Sequence, residues 1–142
     1  ENWEKAGRRT SDRKAMMAFM TYIADTEEQA LDDAKAALQE HASAFGKVMR
    51  GQQWDTDWAG DISVLLHMCE DDDWRDVFRR RTLICTPEQA AERIQRYLDL
   101  GFTEISVVPR YAGITHEQAM TSVRRVTDEV LPMLGLSTLA AE

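Results

Sequence analysis

Residues 82–101 read TLICTPEQAAERIQRYLDLG, a passage that spells out a strand, a turn and a helix in order. TLIC (82–85) is a short apolar run of the kind a buried strand uses. Thr86 and Gln89 then stand at capping-box spacing. In that motif the Thr hydroxyl accepts from a backbone N–H of the first turn, and the Gln side chain reaches back to the Thr N–H. Pro87 falls at the first helical position, where its missing N–H is no loss and its fixed φ suits a helix. Glu88 sits at the positive end of the helix dipole. Ala90, Ile94, Tyr97 and Leu98 recur at helical spacing, and Gly101 supplies the stop.

Working outward, TEISVVP (103–109) is β-branched and reads as the next strand. The capping phrase itself occurs twice more, as TEEQA (26–30) and THEQA (115–119), again behind strand-like runs: AMMAFMTYIA (15–24) and TEISVVP. After Thr26, an apolar face of Ala30, Ala34, Leu38, Ala42, Phe45 and Met49 is predicted. After Thr115 the stripe is Ala119, Val123, Val126, Val130 and Leu134, with Pro132 expected to kink or end it. Short apolar strands alternating with amphipathic helices predict an α/β fold with a parallel sheet. The pentapeptide is helix-start chemistry used three times; the βα repetition beneath it is the informative signal.

Residues 51–81, GQQWDTDWAGDISVLLHMCEDDDWRDVFRRR, interrupt the rhythm as an insertion between βα units. Asp55, Asp57, His67 and the run EDDD (70–73) invite a metal reading, but they lack the ligand spacing of an EF-hand or similar motif, and no metal is expected. DDDWRDVFRRR reads more simply as a short helix with acids at its start and Arg79, Arg80 and Arg81 at its end, the polarity the dipole favours. The same arginines also suit an anion. Trp54, Trp58 and Trp74 read as core or interface anchors.

The bulk numbers describe one domain over residues 1–142. With 17 basic against 25 acidic residues the net charge is −8, which argues against nucleic acid or an anionic membrane as partner. No apolar run reaches the ~18 residues of a membrane span. The opening ENWEKAGRRT is polar and lacks the apolar core of a secretory signal. Cys69 and Cys85 lie far apart and read as reduced thiols of a cytoplasmic protein. A chain that opens on Glu1 reads as a fragment or a processed chain.

Several ordered segments together resemble the C-terminal part of a bacterial luciferase-like monooxygenase. They are a W-x-x-A start, a strand ending YIADTEEQA, the stretch TLICTPEQAAERIQRYLDLGFTEISVVP, and AGITHEQAMTSVRRVTDEVLPML, covering most of residues 1–135. The family's usual Gly is replaced by Cys85. The resemblance implies a (β/α)8 TIM barrel of which this chain supplies the last three βα units, since a whole barrel takes about 250 residues. It also implies reduced FMN, supplied by a flavin reductase, and dioxygen, used to oxidise a small organic substrate. A sister group transfers hydride with a deazaflavin coenzyme. The expected partners are a missing N-terminal half or a second copy. The alternative is a non-catalytic remnant that self-associates through unpaired strand edges.

Barrel function sits at the C-terminal ends of the strands, here Ala24–Thr26, Cys85–Thr86 and the loop 109–114. Thr86, Arg110, Tyr111 and Gly113 are therefore the candidates for cofactor or substrate binding. Arg110 suits an anion, Tyr111 a ring or a hydrogen bond, and Gly113 lets the loop turn; a solvated βα loop also carries such residues. His116 is the candidate catalytic base, against a plain surface histidine. Cys85 reads as a structural thiol, and the phase of Tyr22 in its strand is open.

Overall fold

The computed structural model describes residues 5–7, 9, 14–49 and 74–137. Its elements follow the sequence pattern closely: β1 (Met16–Ile23), α1 (Glu27–Met49), α2 (Trp74–Arg81), β2 (Leu83–Cys85), α3 (Pro87–Asp99), β3 (Glu104–Val108) and α4 (His116–Arg125). A π-helical turn (Val126–Val130) and a short helix α5 (Leu131–Met133) complete the last helix. Trp54, Trp58, Cys69 and the acidic residues proposed and set aside as metal ligands lie outside the described residues.

The three strands are parallel and ordered β2-β1-β3. β3 pairs with the first part of β1, from Met16↔Glu104 to Met20↔Val108, and β2 with the last part, from Thr21↔Leu83 to Ile23↔Cys85. Past Met20 the β3 side of β1 has no strand partner among the described residues, and there the Ile23 N–H donates to Ser122 Oγ of α4 at 3.2 Å. The α/β class and the parallel direction are those the sequence predicts. The order is not that of consecutive barrel strands, which lie side by side in chain order; β1 is the middle strand. In the described residues its two flanks are shared out lengthwise, because β2 is only three residues long and occupies one end.

Both faces of the sheet are covered. Tyr22, Ala24 and Ile84 pack with Ala30, Leu31, Ala34, Ala37 and Leu38 of α1 and with Phe78 of α2. Phe19, Ile23, Leu83 and Cys85 pack on Ala90, Ala91 and Ile94 of α3, and on Val126 and Val130 of the π turn. The strand phase that sequence leaves open is thereby settled: Tyr22 faces α1. The buried face of α1 also includes Leu31 and Ala37, beyond the predicted stripe.

The helix ends carry out the predicted chemistry. Thr86 and Thr115 each make a full capping box, with Gln89 and Gln118. At Thr26 the hydroxyl accepts from the Gln29 N–H at 3.2 Å. α3 ends in a Schellman motif: Phe102 N–H donates to Tyr97 O at 3.1 Å and Gly101 N–H to Leu98 O at 2.9 Å, with Gly101 at φ +91. The helix ends at Met133, one residue after Pro132. The proline follows the π turn, where the Leu131 N–H reaches back to Val126 O, and a second Schellman pair at Gly135 closes the helix. A widened turn beside a residue that has no N–H to donate is a local solution to proline in a helix.

Thr86→Ala and Thr115→Ala are each expected to cost about 1 kcal/mol of stability, and the corresponding Ser variants much less. Urea unfolding midpoints check this; an equal loss for Ala and Ser would show that the threonine methyls, and not the hydroxyl caps, matter.

Candidate functional site

The strand ends that the sequence singles out as a rim come together around the C-terminal end of β1. The loop after β3 folds back over it against α1. Tyr111 is buried within the α1-side core beside Ile114, its ring edge-on to His41 at a centroid distance of 6.2 Å. Its hydroxyl is the one buried side-chain oxygen or nitrogen among the described residues that has no hydrogen-bond partner. Burial raises the Tyr111 phenol above its ordinary pKa, and the neighbouring Tyr22 adds to the shift. Tyr22 donates to Asp33 Oδ2 at 3.2 Å. Its pKa is also raised, first by burial and then by the Asp33 charge.

Gly113 is required where it stands. Its φ is +80, and a Cβ added there would lie 2.7 Å from Ala37 Cα and 2.9 Å from Ala37 Cβ. The loop therefore rests backbone to backbone on α1, a contact only glycine permits. Thr86 spends its hydroxyl on the cap of α3, accepting from the Gln89 N–H at 3.4 Å. Arg110 is exposed and makes no ion pair among the described residues, and His116 is exposed on the first turn of α4. The structure thus joins Tyr111 and Gly113 through α1 but leaves Arg110 and His116 facing solvent.

Cys85 is fully buried at the end of β2. Burial pushes its thiol up to about 12; Arg93 opposes that shift and Glu27 adds to it. A thiol so placed is a small apolar core group and not a nucleophile.

Two features around the rim are not apparent in the sequence. Arg125 of α4 binds Asp25 at 2.7 Å and Glu129 at 2.9 Å, tying the end of β1 to the last helix. Glu27, the first residue of α1, binds Arg79 at 3.0 Å and Arg93 at 3.1 Å, and so links α1 to α2 and α3. The Arg125–Glu129 pair is legible as an i,i+4 spacing; the others join residues tens of positions apart.

As a flavin cradle these residues do not fit. The open side of Gly113 is filled by Ala37, Tyr111 is walled in by α1, and Arg110 is exposed. The sequence model of the family described as luciferase-like monooxygenase matches residues 1–104 of the 142, and the chain belongs to that family. No curated protein matches the chain. Among the described residues no helix is long and apolar enough to cross a membrane.

Gly113→Ala is expected to destabilise by about 2–3 kcal/mol, combining overpacking with a left-handed φ. Gly101→Ala, which shares the positive φ but meets nothing within 4 Å, is expected to lose only about 1 kcal/mol. Equal losses in chemical denaturation would remove the close approach to α1 as the cause.

The folded chain keeps the Cys85 thiol protonated up to about 12, whereas its ordinary value is 9.0. The folded pKa is the higher one, so this contribution to stability is whole below pH 9.0 and is lost as pH rises toward 12. Cys85→Ala is expected to flatten the alkaline fall in stability. In a Cys69→Ser background, Cys85 is expected to resist a thiol reagent until the chain is unfolded; rapid labelling of the native chain would contradict its burial.

Proposed function

We propose that this chain is part of a flavin-dependent, luciferase-like monooxygenase that oxidises a small organic substrate with reduced FMN and dioxygen. The observation that carries the reading is the family match over residues 1–104. In this reading the residues described here are the structural wall behind a rim. Their helix caps and the packed loop after β3 support a cofactor held mainly by other βα units. The barrel is part of the proposal. It is carried by family membership and not by the order of the sheet, and residues beyond these 142 or a second polypeptide complete it. A deazaflavin coenzyme and hydride transfer are the variant of the same proposal within the family.

A second reading, a remnant that self-associates without flavin chemistry, is favoured by one feature. Beside β3, whose outer edge pairs with no strand among the described residues, runs an apolar groove of about 370 Å³, with Ile105, Val107, Val126, Leu131 and Leu134 among its walls. A second copy pairing at this edge would cover it.

Anaerobic titration of the purified chain with reduced FMN, alongside its native mass and any co-purifying polypeptide, separates the two. Saturable flavin binding, by the chain or by the assembly that contains it, is the expected result. A homodimer without flavin affinity would overturn the monooxygenase reading and support the second.

A further inference from the structure

Four guanidinium groups gather beside the N-terminal end of β2. α2 and α3 both run back toward that end, and Arg79, Arg80 and Arg96 occupy their last turns, with Arg93 one turn earlier. Together they line a cleft of about 320 Å³ beside Thr82, at the start of β2. Its apolar wall is Phe19, Tyr97 and Leu100. Phe19 and Tyr97 meet edge to face at 5.0 Å, and Leu100, at 75 % exposure, stands at the mouth.

The charges in this cleft are not balanced. Arg93 is used up in the scaffold: it donates to Thr82 O at 3.0 Å and to Glu27 at 3.1 Å. Arg79 binds the other oxygen of Glu27 through Nε alone, and Arg80 binds Asp76 through one terminal nitrogen. Arg96 has no partner among the described residues. Among the described residues four cations thus meet two carboxylates, in a chain whose net charge is −8. Favourable interaction with a helix dipole accounts for basic residues at one helix end. It does not account for two helix ends delivering them to one cleft with unused N–H donors.

We propose that this cleft binds a small organic phosphate. Arg79, Arg80 and Arg96 hold the phosphate with their free guanidinium donors, whose planar fork matches phosphate oxygens. Tyr97 and Leu100 flank the apolar body of the ligand. Arg93 positions the wall and does not touch the ligand. The site lies beside Thr82, at the N-terminal end of β2.

Calorimetric titration of the purified chain with phenyl phosphate and with inorganic phosphate, at constant ionic strength, tests this. Phenyl phosphate is expected to bind saturably and more tightly than inorganic phosphate. Arg96→Gln, at an exposed and unpaired position, is expected to keep the wild-type Tm and weaken phenyl phosphate about tenfold, the scale of a charge-assisted hydrogen bond. Arg124→Gln on α4, with the same change of net charge, is expected to bind as wild type. Absence of saturable binding, equal affinity for the two phosphates, or equal loss in Arg96→Gln and Arg124→Gln would each overturn the proposal.

Discussion

The described structure depends on the central position of β1, whose eight residues are paired with β3 over the first five and with β2 over the last three, while helices cover both faces. Its C-terminal half, from Phe19 to Ile23, is largely enclosed, so the backbone donors there need partners. The parallel ladders supply most of them, and Ser122 supplies one where the β3 ladder has ended. Apart from Thr21 and the Tyr22 hydroxyl, residues 16–23 are apolar, without the polar–apolar alternation of a strand with one wet face. The enclosure also places Thr21, fully buried, where its hydroxyl must turn back on Phe19 O at 2.9 Å.

Around this strand the helices are held at two levels. The starts of α1, α3 and α4 are fixed locally, by hydroxyl caps that meet an N–H of the first turn within three residues of sequence. Their mutual placement is fixed by contacts distant in sequence. Glu27 stands at one junction, with 20 % of its side chain exposed against 17 % for Arg93. A pair so sheltered is screened less than one in open solvent, yet loses hydration in forming, so its value lies more in fixing α1 against α2 and α3 than in net stability. Arg125 does the same for the end of β1 and α4. Its guanidinium is held even more firmly protonated, first by Glu129 and with Asp25 adding, against the opposing effect of burial.

The rim shows how far packing occupies positions that a barrel reading assigns to ligands. Gly113 and Tyr111 look like binding residues in one dimension because glycine and tyrosine in a βα loop often are. In three dimensions the glycine makes room for Ala37 and the tyrosine fills the space beneath α1. Family membership and local geometry thus bear on different questions. The first gives the family; the second shows Gly113 and Tyr111 occupied by packing against α1.

The sequence by itself determined the elements and their boundaries. Cap spacing, helical period and glycine stops act over three to seven residues, and the chain needs no distant partner to express them. TLICTPEQAAERIQRYLDLG reads as strand, capped helix and Schellman stop, and folds that way. It also carried the family, through ordered segments that no single motif defines. Only the tertiary structure decided that β1 is the middle strand, that Tyr22 faces α1, and that four arginines share one cleft. Those outcomes turn on which residues far apart in sequence come to lie side by side. A fully apolar strand has no alternation to mark its inner face, and a charge on a helix end does not announce which other helix ends beside it.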